Sequence, residues 1–406
     1  MSDYDVLILG AGPTGLAAAR RLLEHGIRRV AILEREAAAG GIPRHCGHLA
    51  FGLREFARPM SGPAYARKLA DAARGAELRL GTTVTAIRPG GFVETTHPKT
   101  GPATLSAKRL LVAFGVRETP RSTRLVAGAR PAGIFTTGAL QQFVYLTGRK
   151  PCSRAVIVGS ELVAFSAILT LRHAGIRPVA MIEANPRITA RQPADLAAWA
   201  FWRVPVLTGA RLAAIHGLDR VEGIEIEQRG HRRIIECDGV VFTGRFRPET
   251  GVLAGGHLAL DPGTGGPAID QHWRSSDPQL FAAGNILHPV ETAGRCWAEG
   301  RAAADAIAAD LAGELPDPAR AIPIRVADPI KYLYPQRLAL PLGEASPLLF
   351  QARVARAARG RLRLLADGRE VWSRRIAALP ERRIALSPTY LPRDGLASVT
   401  LMLEEA

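Results

Sequence analysis

Residues 5–15 constrain the fold of this 406-residue chain more than any other segment. Asp5-Val6-Leu7-Ile8-Leu9 is a short, mostly apolar run that ends in Gly10-Ala11-Gly12-Pro13-Thr14-Gly15, and a helical pattern follows from Leu16 to His25. Strand, glycine turn and helix in that order begin a βαβ dinucleotide-binding unit. Gly10 permits the tight turn, Gly12 lets backbone approach a pyrophosphate, and Gly15 lets the helix pack closely on the strand. The helix start offers free N–H groups and the positive end of its dipole to phosphate. A second strand, Val30–Leu33, ends at Glu34, where a carboxylate accepts hydrogen bonds from ribose hydroxyls and repels a 2′-phosphate.

Downstream, Arg35-Glu36 leads to Gly40-Gly41, the run Leu110-Leu111-Val112 leads to Ala113-Phe114-Gly115, and Leu280-Phe281-Ala282-Ala283 leads to Gly284-Asn285. With these motifs the chain resembles, over about residues 4–312, the FAD-dependent oxidoreductases with two dinucleotide-binding domains, the superfamily of glutathione and thioredoxin reductases. The resemblance implies FAD as cofactor and an α/β fold. Two Rossmann-like, three-layer domains with parallel sheets are expected, plus a small C-terminal all-β domain suggested by the pattern beyond residue 325. The implied FAD-binding residues are Gly10, Gly12, Pro13, Thr14, Gly15, Glu34, Arg35, Gly41, Val84, Ala113, Gly115, Gly284, Asn285, Thr292 and Ala293. The superfamily usually has Asp where this chain has Asn285, and an amide can still reach a ribityl hydroxyl. The helix after Thr292-Ala293 is implied to aim its amino terminus at the flavin pyrimidine ring, where a positive dipole end stabilises the anionic reduced flavin.

A second strand–turn–helix pattern begins at Arg154-Ala155-Val156-Ile157-Val158 and continues into Gly159-Ser160-Glu161-Leu162-Val163-Ala164. Gly159 keeps the first glycine and Ala164 fills the third place, but Glu161 replaces the glycine that lets backbone touch phosphate. The strand Val179–Ile182 and Glu183 then repeat the ribose-binding pattern. The fold of an NAD domain with a degraded phosphate loop is therefore expected, and productive NAD(P)H binding is doubtful. A shifted loop would leave NADH as the favoured nucleotide, because of Glu183.

If NAD(P)H is not the donor, electrons come from a small polar substrate or an electron-donating partner subunit, and the chain is expected in a hetero-oligomer. Within the superfamily it resembles in particular the flavoproteins associated with glycerol-3-phosphate dehydrogenase-like subunits, and more loosely amine and opine dehydrogenase subunits. Gly40 to Gly52, Gly159 to Ser166, Thr243 to Pro248 and His288 to Thr292 carry that likeness. It implies a dehydrogenase subunit oxidising a small polar alcohol or amine, or relaying its electrons. An NAD(P)H-dependent flavin reductase feeding a protein acceptor and a non-catalytic FAD-bound scaffold are the alternatives.

The stretch that holds redox cysteines in the disulfide reductases here holds Arg44, His45, Cys46 and His48. A single cysteine cannot form a disulfide with a neighbour in this segment. Cys46 as a thiolate and His45 or His48 as a general base are candidate catalytic groups, with His288 a further choice near the cofactor. Cys46, Cys152, Cys237 and Cys296 are far apart and include no CxxC pair, so no cysteine-ligated metal or iron–sulfur site is expected.

The expected boundaries are 1–120 and 275–320 for a discontinuous FAD domain, 150–250 for the NAD(P)-binding-like domain, and 325–406 for the β-rich C-terminal domain. The net charge of +16 comes from 48 arginines and five lysines set against 37 acids. These arginines are dispersed, with no dense run and few interleaved aromatics, which argues against nucleic-acid binding. No apolar stretch reaches the length of a membrane span, and Val6–Leu9 reads as a strand and not a signal sequence, so a cytoplasmic location is expected.

Overall fold

The computed structural model describes residues 2–191, 193–342, 348–388, 391–392 and 395–406. Two compact units emerge, one of residues 1–41, 67–116 and 248–406, the other of residues 42–66 and 117–247. The chain's first βαβ segment is β1 (Tyr4–Leu9), α1 (Pro13–Glu24) and β2 (Val30–Leu33); its second is β3 (Arg154–Val158), α2 (Leu162–His173) and β4 (Arg177–Glu183). A long helix, α3 (Ala293–Leu311), follows in the first unit.

In the first unit β1 lies parallel between β2 and the end of Gly101–Val112, with Leu9 beside Leu33 and Val112. Glu77–Arg79 extends the parallel sheet beyond β2, and Leu280–Ala282 extends it beyond Val112. Strands covered on both faces read as continuous apolar runs, which is why residues 6–9, 30–33, 110–112 and 280–282 are all buried. An antiparallel meander of Thr83–Arg88, Phe92–His97 and Gly101–Val112 completes the sheet. The helix α1 opens with Gly12 as N-cap and a proline in its first turn, a position where a missing N–H costs nothing.

In the second unit the parallel order is Val206–Thr208, β4, β3, Gly239–Phe242 and Ile134–Thr136. Three antiparallel strands, Ala210–His216, Gly223–Gln228 and His231–Glu236, flank it. Both units are thus α/β with Rossmann-like parallel sheets.

Residues 321–405 add strands in two sheets around a core that includes Leu333, Leu338, Phe350, Leu362, Leu364 and Leu401. The turn at Asp367-Gly368, both with positive φ, closes the hairpin of Ala358–Ala366 with Arg369–Ala378.

The compact units divide the chain differently from the sequence boundaries. Residues 42–66, expected inside the FAD domain, pack in the second unit: Gly62 N–H donates to the Cys46 carbonyl at 2.9 Å, and the Cys46 thiol donates to Gln141 at 3.3 Å. The β-rich carboxyl-terminal region, although it has its own core, belongs to the first unit, because Tyr334 enters the apolar core that contains Leu9, Val112 and Leu280.

Candidate functional site

The turn after β1 is held tightly from behind and is open in front. The Gly10 N–H donates to the Leu33 carbonyl at 2.8 Å, and a side chain on Gly10 would place Cβ 2.6 Å from the Ala113 carbonyl oxygen. Gly15 is equally confined, its notional Cβ 2.0 Å from the Gly10 carbonyl. At Gly12 an added Cβ meets nothing within 4 Å, so backbone at the helix start faces free space. Gly41 closes over it, its notional Cβ 2.9 Å from the Gly12 Cα. Glu34 is buried, one carboxylate oxygen accepting from the Ala11 N–H and the other from the Glu36 N–H, both at 2.9 Å. A carboxylate has about four acceptor positions, so these two bonds fix Glu34 and leave capacity for ribose hydroxyls. Pro13 and Thr14 form the first turn of α1, with Thr14 buried against Gly284 and Gly300. These residues fit an adenosine diphosphate moiety.

Other expected FAD residues are placed as follows. Arg35 is exposed, 3.7 Å from Glu36. Val84 is a core side chain, so only its backbone is available to a ligand. Ala113 continues the strand end by donating to the Leu9 carbonyl, and Gly115 has φ +73° with open space at its Cβ position. Asn285 closes the loop before α3: its amide donates to the Glu291 carbonyl at 3.2 Å and accepts from the Glu291 N–H at 2.8 Å. An aspartate could make only the second bond, which gives Asn a structural reason at this position. Thr292 is the N-cap of α3 and Ala293 its first residue, with no side chain capping the helix start.

His288 is buried in the same loop. Its Nε2 lies 3.0 Å from a Glu299 oxygen, and its ring stacks on Tyr334 with centroids 4.6 Å apart. Tyr334 donates to Glu299 at 2.9 Å and accepts from the Gln351 amide. Burial alone would raise the Glu299 pKa, but attraction to His288 and the hydrogen bonds from His288 and Tyr334 outweigh it and hold the carboxyl below its usual value. Burial and the Glu299 charge push Tyr334 well up, so it remains a donor. The sequence singles out His288 but not Glu299, Tyr334, Gln351 or Arg353, because no local motif marks those partners.

The second turn repeats the geometry of the first with a different outcome. Gly159 has φ +121° and donates to the Ile182 carbonyl at 2.8 Å, as Gly10 does to Leu33. Glu161, in the place of Gly12, folds back over the turn and accepts from the Thr243 hydroxyl at 2.8 Å. Its carboxylate lies 2.6 Å from a notional Cβ on Gly159 and 2.1 Å from one on Gly244. Glu183, in the place of Glu34, accepts from the Ser160 hydroxyl, the Asn185 N–H at 2.9 Å, the Asn185 amide at 2.8 Å and the Thr189 hydroxyl at 3.3 Å. Those four bonds use the whole acceptor capacity of a carboxylate. Burial raises the Glu161 pKa, with repulsion from Glu183 adding to it and Thr243 and Arg124 opposing it.

The candidate catalytic trio lies in the second unit. Cys46 is buried, and burial with the nearby Glu118 charge pushes its thiol up to about 12, so it is protonated at neutral pH. His45 is buried in the short helix Ile42–His45. His48 is half-buried, stacks on Phe51 with centroids 5.2 Å apart, and is held below its ordinary pKa by burial, which keeps the imidazole neutral. The four cysteines are free thiols and buried.

Fold and site define a flavoprotein with two dinucleotide-binding folds, one open to a nucleotide and one filled by its own side chains. A family model described as pyridine nucleotide-disulphide oxidoreductase matches residues 4–300, and the chain belongs to that family; FAD is its cofactor. The alpha subunit of sarcosine oxidase from Rhizobium meliloti (strain 1021) is 28% identical over 76% of this chain and 30% of its own length. An opine oxidase subunit of the same organism is 28% identical over 45% of this chain and 39% of its own. The chain therefore spans well under half of either relative. Among solved structures, thioredoxin reductase of T. acidophilum is similar with a TM-score of 0.65 and 26% identity, covering 77% of this chain and 100% of that one. No helix among the described residues is long and apolar enough to cross a membrane.

Proposed function

We propose that this FAD-dependent oxidoreductase is a subunit of a dehydrogenase complex that oxidises a small polar alcohol or amine, or relays the electrons of a subunit that does. The observation that carries the reading is the filled second turn. Family members use NAD(P)H, but here Glu161 covers Gly159 and Gly244 and Glu183 has no acceptor positions left. A pyrophosphate arriving there meets a carboxylate instead of backbone N–H groups. Electrons then enter from another donor, and likeness to sarcosine and opine oxidase subunits supports an amine substrate and a multi-subunit assembly.

Bound FAD supplies the two-electron acceptor. In the first unit the α1 amino terminus and Glu34 would hold the adenosine diphosphate end. In the second unit His48, which burial keeps neutral, is suited as a general base to take the proton of a hydroxyl or ammonium group. Cys46, protonated and bonded to Gln141, packs and does not react.

The test is an anaerobic titration of the holoprotein with NADH, followed by loss of oxidised-flavin absorbance. The flavin is expected to stay oxidised with NADH and to bleach with dithionite. Rapid stoichiometric bleaching by NADH would overturn the reading and make the chain an NADH-dependent reductase. Glu161→Gly, which empties the turn, is expected to strengthen NADH binding.

A further inference from the structure

Two strands of the carboxyl-terminal region converge on the loop that leads into α3. Arg353, on the strand Phe350–Val354, donates to the Pro289 carbonyl at 2.9 Å and to the Val290 carbonyl at 3.1 Å. The same guanidinium lies 3.6 Å from one oxygen of Glu291, whose other oxygen is 3.3 Å from Arg295. Tyr334, on Ile330–Tyr334, stacks on His288 and bonds Glu299 within α3, and Gln351 bonds Tyr334 from behind. From inside the loop, Asn285 joins it to Glu291. Residues 285–291 are thus tied down along their length, and most of the ties come from strands more than 40 positions later in the chain.

We propose that the carboxyl-terminal β region is part of the flavin site: Arg353 and Tyr334 are positioning residues that fix where the amino terminus of α3 stands against the flavin, and Arg353 joins Arg295 in neutralising Glu291 beside it. The inference rests on FAD binding in the first unit with α3 directed at the pyrimidine ring, as the family resemblance implies. Two physical effects act in the same direction. The field of a helix end falls off within a turn, so its influence depends on the loop being held in place. Glu291 immediately precedes the N-cap, and its charge would oppose the helix dipole if Arg353, together with Arg295, did not offset it. Both effects favour the anionic reduced flavin over the neutral oxidised form. The region therefore raises the flavin's reduction potential as well as its retention.

The experiment uses the full chain carrying Arg353→Gln or Tyr334→Phe. FAD dissociation constants are measured for the oxidised form by flavin fluorescence, and those for the reduced form follow from the midpoint potential against a reference dye. Arg353→Gln is expected to weaken binding of reduced FAD about tenfold more than oxidised FAD, the scale of one charge-assisted hydrogen bond, so the potential falls. Tyr334→Phe is expected to shift it the same way by less. Equal weakening of both forms is what a purely structural tie gives, and it would overturn the proposal, as would no change in either. Should Arg353→Gln fail to retain FAD, Arg353→Lys keeps the charge but not the fork, and the same ratio decides. Thr292→Asp is the reference for the placement of α3, since a carboxylate at the N-cap lowers the potential only if that end faces the flavin. A shift with Thr292→Asp and none with Arg353→Gln refutes the clamp alone, whereas no shift with either refutes the placement too.

Discussion

A carboxylate accepts about four hydrogen bonds, and the two glutamates at equivalent strand ends differ in how many the protein itself supplies. Glu34 takes two from backbone and Glu183 takes four, three of them with side chains of Ser160, Asn185 and Thr189 as donors. Glu161 adds to the filling at a cost that depends on pH. Its folded pKa lies above the ordinary 4.5, chiefly through burial, so folding disfavours the ionised form. The contribution of Glu161 to stability is then full below pH 4.5 and is lost as pH rises from there through the folded value. Glu161→Gln, which does not ionise, should be more stable than the parent by about 1 kcal/mol at pH 8 and no more stable at pH 4. Denaturant unfolding at a series of pH values measures this, and a pH-independent difference would remove Glu161 as a strained charge. Cys46 is governed by the same physics with a different outcome. A thiol pushed up to about 12 has almost no thiolate at pH 8, so iodoacetamide should leave Cys46 unmodified in the folded protein, as read by mass spectrometry, and Cys46→Ala should keep turnover.

Among the elements, α1 and α3 cross in close contact. Gly300 sits against the Thr14 carbonyl, where an added Cβ would lie 2.2 Å from the oxygen, and Gly284 sits against the Thr14 hydroxyl at a similar separation. Gly300→Ala therefore has to push the helices apart and should cost about 2–3 kcal/mol, with loss of flavin, in thermal unfolding of the holoprotein. A melting point within a degree of the parent would show that the crossing is looser than this. The need at Gly10, Gly12 and Gly15 was legible in the sequence, because turn, close approach and acid at the strand end follow a fixed spacing. The need at Gly300 was not, since nothing near it in sequence names Thr14 as its neighbour. Glu161 was legible for a related reason: a side chain where a fixed motif demands none is visible without a structure. What it does there, turning back onto Thr243, depends on a residue 82 positions later, just past the strand Gly239–Phe242. Position alone makes Asn285 a candidate ribityl ligand, and its amide also closes the loop to Glu291, a use that only the backbone path reveals.

For the whole molecule, the strand patterns beyond residue 325 disclosed a β-rich region with its own core, but alternation along a strand says which residues face inward and not what the far face meets. Arg353 and Tyr334 lie on such strands, and their targets in residues 288–299 could be found only in three dimensions. Further ties join this region to the rest of its unit. Gln336 accepts from the Ile269 N–H at 3.0 Å, Gln271 exchanges two bonds with Ala339, and Arg337 donates to the Ser275 carbonyl at 2.5 Å. Taken together these contacts make residues 321–406 an integral part of the first unit and not an appendage hung on it. A chain ending at Asp317 would leave the buried Glu299 without the Tyr334 hydroxyl, and the apolar core around Leu253 and Ile269 without the Tyr334 ring. It should melt at least about 10 °C below the full chain and lose FAD on gel filtration, because removing a buried partner of a charge and part of a core each costs several kcal/mol. A truncated protein that stays yellow and melts within a few degrees of the parent would mean that the FAD fold is self-sufficient, as the complete match of the shorter thioredoxin reductase of T. acidophilum to part of this chain allows. The contact network here argues for the first outcome, since Glu299 in the middle of α3 already depends on Tyr334 from the added region.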